Sequence, residues 1–381
     1  MKPTYLDYNA TTPTDPRVVE VMRRYSLVDF GNASSLHHSH GSAAKQAIDE
    51  ARGKVATLLS VQADEILFTS GATESNNLAL LGLADQGRRT KRRHILASSI
   101  EHSSVLGPLR ALGRQGFEVE LLPVTSGGYV DPEEIRIRLR SDTLLVSIMH
   151  ANSETGVLQP VLEMAPIVAG SNSLFHVDAA QTFGKEIQDL QALECDFLSI
   201  SGHKMLGPKG VGALLVRRRS TKRPPLAPIM YGGGQELGLR PGTLPVPLIA
   251  GLGVAAELAI QEHETRERQA LAIRCEFLQA LSKVEYRING DQSRTQRHVL
   301  NVSFLGVDSE ALMLSLKGFM AFSNGAACSS GAQARSHVLA AMGLSGERIS
   351  TSVRFSWGPG VARVPFDRLI DAVRSLSESA V

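Results

Sequence analysis

The chain has 381 residues, of which 43% are hydrophobic and 20% charged, enough apolar material for a large core and for two structural domains. Its net charge of +2 excludes binding to nucleic acid or membranes driven by bulk electrostatics, and we expect direct contact with neither. Three cysteines are too few for a disulfide framework, and the N-terminus has no apolar signal core, so we expect a cytoplasmic protein.

The first part of the chain predicts a short extended segment followed by two helices. Residues 1–14 contain the extended segment and a turn, and Asp15-Pro16 is typical of a helix N-cap followed by proline at the first helical position. Apolar residues at helical spacing predict the second helix between Gly41 and Leu59.

From residue 66 onward, short apolar runs alternate with amphipathic segments. This alternation predicts an α/β layer with a mostly parallel sheet, because each helix returns the chain to the same end of the sheet. The seven predicted strands are 66–69, 94–97, 119–122, 144–149, 174–177, 197–200 and 211–216.

Beyond residue 260 the pattern changes to that of a smaller α+β domain. A long charged helix is predicted at 261–281, strands at 299–304 and 352–355, and helices at 310–316 and 367–376. We therefore expect a large domain formed by residues 15–260 and a small domain formed by residues 1–14 and 261–381.

Polar residues follow five of the predicted strands. In an open α/β sheet, ligands bind at the carboxyl ends of the strands, where loops and helix N-termini meet. The residues that follow these strands are Gly71-Ala72-Thr73, Glu101-His102, Asn152, Asp178 with Gln181, and Ser201 with His203 and Lys204.

This set of residues suits pyridoxal phosphate. A lysine such as Lys204 can form a Schiff base with the cofactor aldehyde, and a carboxylate such as Asp178 can hold the proton of the pyridine nitrogen. Gln181 could donate to the ring oxygen, and His102 offers a flat partner for the ring. Amides and side chains for the phosphate are predicted at Ala72, Thr73, Ser201 and His203. Each of these residues alone is equally consistent with a cap, a turn or a core hydrogen bond.

Two features of the second half add to this prediction. Cys328 lies in a run of small residues, 324–331, typical of an exposed loop in which a thiolate nucleophile could act, although an incidental thiol is the alternative. Arg354 interrupts an apolar strand and requires an anion, either a substrate carboxylate or an internal acidic partner.

The chain resembles the group I, NifS/IscS-type cysteine desulfurases, within the class V aminotransferase-like enzymes. The resemblance extends over nearly the whole chain, and its specific part is the combination of the cysteine loop with the Arg-x-Gly-Thr segment. The matching motifs are Tyr5-Leu6-Asp7-Tyr8-Asn9-Ala10-Thr11-Thr12, Phe68-Thr69-Ser70-Gly71-Ala72-Thr73-Glu74-Ser75, Glu101-His102, His176-Val177-Asp178-Ala179-Ala180-Gln181, Ser201-Gly202-His203-Lys204, Arg240-Pro241-Gly242-Thr243-Leu244-Pro245 and Ala326-Ala327-Cys328-Ser329-Ser330.

This resemblance implies fold type I of the pyridoxal phosphate-dependent transferases, the aspartate-aminotransferase-like fold. It also implies a homodimer in which Thr243 reaches the phosphate bound by the partner subunit. Lys204, Cys328 and His102 are the implied catalytic residues, and Asn152 joins the implied cofactor-binding set. Asn32, Asn152 and Arg354 are implied to bind the carboxylate of L-cysteine.

The implied reaction converts L-cysteine to L-alanine and leaves a persulfide on Cys328, with His102 as one candidate for removing the proton of the thiol. A sulfur-acceptor protein would then receive the sulfur for iron–sulfur cluster assembly, tRNA thiolation or DNA phosphorothioation. The alternatives are a selenocysteine or cystine lyase, a small-amino-acid aminotransferase, and a non-enzymatic sulfur-relay scaffold. No metal site is predicted, because His37, His38 and His40 have no other ligands at suitable spacing.

Overall fold

A computed structural model of the protein describes residues 2–219, 222–324 and 335–378. Cys328 lies outside these residues. In chain order, the strands are β1 (Thr4–Tyr5), β2 (Ile66–Thr69), β3 (His94–Ser98), β4 (Glu118–Leu122), β5 (Thr143–Met149), β6 (Leu174–Asp178), β7 (Phe197–Ser201), β8 (Gly212–Val216), β9 (Arg287–Ile288), β10 (Val299–Ser303), β11 (Met320–Ala321) and β12 (Ser352–Ser356).

Helices surround these strands, and the first begins as the sequence predicts. The Asp15 side chain accepts a hydrogen bond from the amide of Arg17, with proline at the start of the helix. The helices are α1 (Pro16–Leu27), α2 (Ser39–Leu59), α3 (Ala72–Leu81), α4 (Ala84–Thr90), α5 (Ser103–Arg114), α6 (Pro132–Arg138), α7 (Val161–Ala169), α8 (Ile187–Ala192), α9 (Val246–Gln261), α10 (His263–Leu281), α11 (Ser309–Leu316), α12 (His337–Ala341), α13 (Gly346–Ser350) and α14 (Phe366–Glu378).

The central sheet contains seven strands in the spatial order β2-β8-β7-β6-β5-β3-β4. Strand β8 is antiparallel to both of its neighbours, and the remaining pairs are parallel. The predicted seven-stranded, mostly parallel sheet is thus confirmed. Its consequence for function is that β2, β3, β5, β6 and β7 all end at one edge, where their following loops converge.

Two apolar clusters cover the two faces of this sheet. One packs α1, α2, α7, α8 and α9 against one face, and the other packs α3, α4 and α5 against the opposite face. Apart from the edge strand β4, the strands of this sheet are buried on both faces, which explains why their sequences are mostly apolar.

A third cluster lies around the sheet β12-β10-β9 and the helices α10, α11 and α14. Phe277 stacks on Trp357 with ring centroids 5.0 Å apart, and Leu6 from the N-terminal segment is fully buried in the same cluster. Strand β1 also pairs with β11. We propose this cluster as the core of the small domain, and the exact boundaries at residues 15 and 260 stay a prediction.

Among the described residues, we find no helix with both the length and the apolar character required to cross a bilayer.

Candidate active site

A cavity of about 540 Å³ opens where the strands of the central sheet end. This volume lies within the range of sites for small molecules and cofactors, about 300–1,000 Å³. Nine of the predicted site residues line it: Ala72, Thr73, His102, Asp178, Gln181, Ser201, His203, Lys204 and Arg354.

The N-terminus of α3 forms one wall of the cavity. Its N-cap residue is Gly71, with φ of 150°, which provides no side-chain cap for the first amides of the helix. A Cβ on the adjacent Gly212 of β8 would lie 2.6 Å from the Cα of Gly71, so β8 can approach this turn so closely only because residue 212 is glycine. Amides at a helix N-terminus attract an anion, and the wall therefore suits a phosphate.

Lys204 ends a short 3-10 turn that follows directly from β7. Its Nζ donates a hydrogen bond to the backbone oxygen of Asn9. The N-terminal segment is fixed to the same turn, because the amide and the hydroxyl of Thr12 both donate to the carbonyl of His203. Lys204 therefore extends into the cavity from a turn that follows β7 and is hydrogen-bonded to the N-terminal segment.

His203 faces the same cavity as a neutral imidazole. Burial, and then repulsion from Lys204, Lys209 and Lys185, lowers the pKa of His203 from 6.5 to about 4. Its Nδ1 lies 3.1 Å from the Thr11 hydroxyl. A neutral imidazole can donate a hydrogen bond to an anion without adding a charge.

Asp178 lies at the end of β6 with both carboxylate oxygens hydrogen-bonded. Oδ1 accepts from the amide of Ala180 at 2.9 Å, and Oδ2 accepts from Asn76 Nδ2 at 2.7 Å. Nearby, Gln181 Nε2 donates to the carbonyl of Asn9 at 3.1 Å. Gln181 Oε1 is buried and has no hydrogen-bond partner among the described residues.

His102 is the N-cap of α5, and its side chain accepts from the amide of Ser104. Burial lowers the pKa of His102, an effect that Lys204 and His337 reinforce and Asp178 opposes. The side chain is thus favoured as a neutral ring at the wall of the cavity.

Arg354 projects from β12 and is only 4% exposed. Its guanidinium donates to Oδ1 of Asp7 at 2.5 Å and to the carbonyl of Ser153 at 2.8 Å. The acidic partner that the sequence left open is therefore present inside the protein. The Nε atom of Arg354 has no partner among the described residues, which leaves part of the guanidinium available to a ligand.

Three predicted residues do not line this cavity. Asn152 is buried, and its Oδ1 accepts from the amides of Glu154 and Thr155, so its side chain holds the turn after β5. Asn32 and Thr243 are exposed, and the Asn32 side chain accepts from the amide of Ser34. Their predicted ligand contacts, like that of Asn152, stay predictions.

The structure also brings polar residues to the site that we did not single out from the sequence. Asn9 and Thr11 line the cavity with Ser104, and Asn76 lies behind it, bonded to Asp178. A sequence signal for Asn76 existed, because residues 73–77 are polar throughout a helix that packs on the sheet. Such a run requires buried partners for some of its side chains.

These residues fit pyridoxal phosphate. The N-terminus of α3 has no side-chain cap, and Gln181 Oε1 has no partner within residues 2–219, 222–324 and 335–378, so a bound ligand can satisfy both. The Lys204 amine and the Asp178 carboxylate line the same cavity, as an aldehyde and a protonated ring nitrogen require.

Comparison with known proteins shows the family of the chain. The model of the family "Aminotransferase class-V" matches residues 4–361. "Cysteine desulfurase IscS" of Anaeromyxobacter sp. (strain Fw109-5) is 45% identical over 382 residues, which cover 99% of this chain and 94% of the relative. Class-V aminotransferases and cysteine desulfurases are known pyridoxal phosphate enzymes.

Solved structures extend the similarity to the fold. A "NifS-like protein" is similar with a TM-score of 0.89 and 36% identity, covering 100% of this chain and 99% of that one. DndA from Streptomyces lividans is similar with a TM-score of 0.82 and 49% identity, covering 94% of this chain and 100% of that one. The chain therefore belongs to the aminotransferase class-V family and, within it, to the NifS/IscS-type cysteine desulfurases.

Proposed function

We propose that this protein binds pyridoxal phosphate and removes sulfur from L-cysteine, giving L-alanine and a persulfide on Cys328. The observation that carries the proposal is the single cavity shared by Lys204, Asp178, His102, Arg354 and the N-terminus of α3. An amine, a carboxylate, an anion-binding helix end and a guanidinium together suit an amino acid substrate bound beside a phosphate-bearing cofactor.

The cofactor would be held by groups from several elements. The amides of α3, with Thr73, Ser201 and His203, would bind its phosphate, and Asp178 and Gln181 would contact its ring. When bound, pyridoxal phosphate supplies an aldehyde that bonds an amine and a ring that accepts electrons from the substrate carbon. Lys204 would bond that aldehyde and, once released, take the proton from the α carbon of the substrate.

Arg354 would hold the substrate carboxylate. Its Nε has no hydrogen-bond partner in the part of the chain that the structure describes, and the ion pair with Asp7 fixes the orientation of the guanidinium plane.

The sulfur step needs one thiolate. The Cys328 thiolate would attack the sulfur of the substrate, the bond between carbon and sulfur would break, and the carbon would gain a proton to become the methyl group of alanine. The new sulfur–sulfur bond leaves the persulfide on Cys328, and a second thiol or an acceptor protein must then take the sulfur. We further propose a cytoplasmic homodimer in which Thr243 reaches the partner's cofactor, with the identity of the acceptor left to experiment.

Alanine release from L-cysteine tests the proposal, measured with and without a thiol reductant. Wild-type protein should turn over repeatedly with reductant and stop near one alanine per subunit without it. Cys328→Ser should release no alanine, while Cys275→Ser, at an exposed position on α10, should behave as wild type. A Cys328→Ser variant as fast as wild type would contradict the assignment of the nucleophile.

The same assay distinguishes the desulfurase from the second candidate function, a selenocysteine or cystine lyase. A lyase that acts on selenocysteine or cystine would release alanine or pyruvate from those substrates without requiring Cys328. Equal rates for wild type and Cys328→Ser on such a substrate, with no reaction on L-cysteine, would replace the desulfurase proposal with the lyase.

A further inference from the structure

A chain of hydrogen bonds links Asp178 to His102 behind the wall of the cavity. Asn76 Nδ2 donates to Oδ2 of Asp178 at 2.7 Å and to the Ser104 hydroxyl at 2.8 Å. The Ser104 hydroxyl in turn lies 2.8 Å from Nδ1 of His102. The two side chains predicted to hold the cofactor ring are thus connected through residues on α3 and α5.

The donors in this hydrogen-bond chain indicate which nitrogen of His102 carries the hydrogen. The amide of Ser104 donates to Nδ1 of His102 at 3.1 Å. Because this amide hydrogen points at Nδ1, Nδ1 is unprotonated and the neutral ring carries its hydrogen on Nε2. The Ser104 hydroxyl, which accepts from Asn76, can then donate its own hydrogen to Nδ1 as a second donor.

The residues of this hydrogen-bond chain are mostly buried, and three ionisable groups lie near its His102 end. Asn76 is fully buried and Ser104 is only 8% exposed, so most of this hydrogen-bond chain lies away from bulk solvent. The ionisable groups that face His102 are Asp178 on β6, Lys204 after β7 and His337 on α12. Burial has the largest effect on the pKa of His102 and lowers it, as do Lys204 and His337, whereas Asp178 raises it.

We propose that Asn76 and Ser104 are positioning residues that tie Asp178 to His102 and hold the imidazole as its Nε2–H tautomer. His102 then presents a hydrogen-bond donor, and not a base, to the catalytic cavity. This assignment opposes the role in thiol deprotonation predicted from the sequence. Its relevance to catalysis rests on the proposed function, but the tautomer itself does not.

The test is nitrogen NMR of the cofactor-loaded protein labelled with ¹⁵N-histidine. His102→Gln identifies the signals of this one ring among the 11 histidines. At pH 7.5, we expect a protonated Nε2 and an unprotonated Nδ1 in the wild-type protein. A protonated Nδ1 in the wild-type protein would overturn the proposal.

Variants of Ser104 and Asn76, each with a control at the neighbouring position, test whether these residues favour the Nε2–H tautomer of His102. Ser104→Ala removes one donor to Nδ1 and should raise the pKa of His102 by about one unit, as expected for the loss of one hydrogen bond. Ser104→Thr keeps the hydroxyl and should restore the wild-type value. Ser103→Ala, at the exposed neighbouring position, is the matched control and should change nothing.

Asn76→Ala should raise the same pKa, because the Ser104 hydroxyl is then free to turn away from the ring. The control is Asn77→Ala, whose side chain donates to the backbone of Thr73 on the exposed side of α3. A purely structural role for Asn76 would leave the His102 titration unchanged, and that result would overturn the proposed link. If the wild-type protein releases no alanine from L-cysteine although His102 carries its hydrogen on Nε2, that result counts against the proposed function alone.

Discussion

Arg354 on β12 and Asp7 in the N-terminal segment form an ion pair, with Nη2 and Oδ1 2.5 Å apart. The side chains are 4% and 19% exposed, and 347 positions separate them in the sequence. The pair binds the N-terminal segment to the small sheet, and it holds one edge of the guanidinium so that Nε remains available beside the cavity.

Arg354→Gln should therefore impair substrate binding more than cofactor binding. The lost charge-assisted hydrogen bonds are worth about 2 kcal/mol, which lowers kcat/KM for L-cysteine by about thirtyfold. The absorbance of bound pyridoxal phosphate should stay as in wild type. Arg374→Gln, at an exposed position on α14, is the control. An unchanged KM for the first variant would exclude Arg354 as the carboxylate ligand.

Glu101 should make stability fall as the pH rises. Burial raises the pKa of this carboxyl from 4.5 to about 8. Folding thus takes up a proton between these two values, and the stability present below pH 4.5 is lost as the pH rises through 8. Glu101→Gln mimics the protonated acid and should flatten the profile of urea unfolding over this window.

The surface variant Glu276→Gln is the control for Glu101 and should keep the slope of the wild-type profile. Glu101 Oε1 accepts hydrogen bonds from the Ser98 hydroxyl and the amide of Met149, and the glutamine oxygen can replace it there. If the stability of Glu101→Gln falls with pH as steeply as that of wild type, other ionisable groups cause the pH dependence.

Two glycine variants should have opposite effects on stability. A Cβ on Gly212 would lie 2.3 Å from the carbonyl oxygen of Ile200, so Gly212→Ala should cost about 2 kcal/mol and weaken pyridoxal phosphate binding at the adjoining turn. A Cβ on Gly53 of α2 has no neighbour within 4 Å, so Gly53→Ala should stabilise the protein by about 1 kcal/mol. Thermal unfolding measures the stability of each variant, and cofactor titration measures its binding of pyridoxal phosphate. A Gly212→Ala variant that is as stable as wild type and binds the cofactor normally would contradict the close approach of β8 to the turn at Gly71.

Alkylation should distinguish the cysteines. Burial raises the pKa of Cys195 to about 12, so iodoacetamide at pH 8 should leave it unmodified in the folded protein and modify it in urea. The exposed Cys275 should react in both conditions. Peptide mass spectrometry identifies each site, and loss of alanine release should follow modification of Cys328. Inactivation that follows Cys275 instead would contradict the proposed nucleophile.

Much of the fold and about three-quarters of the candidate site were predictable from local sequence patterns. Except for the edge strand β4, the strands of the central sheet are mostly apolar because both of their faces are covered. The residues that follow the parallel strands must meet at one edge of the sheet. This reasoning located Lys204, Asp178, Gln181 and His102 without any knowledge of distant contacts. Asn152 also follows β5 as predicted, but its side chain is hydrogen-bonded within its own turn, and its contact with a ligand stays a prediction.

The sequence by itself determined the alternation of strands and helices, the strand ends that carry polar groups, and the family resemblance. Only the tertiary structure decided which of those groups pair. Asn76 and Asp178 are 102 positions apart, and no local pattern indicates that one donates to the other. The physical reason is that backbone conformation and burial depend on neighbours along the chain, whereas the hydrogen-bond partner of a buried side chain depends on which elements pack against it.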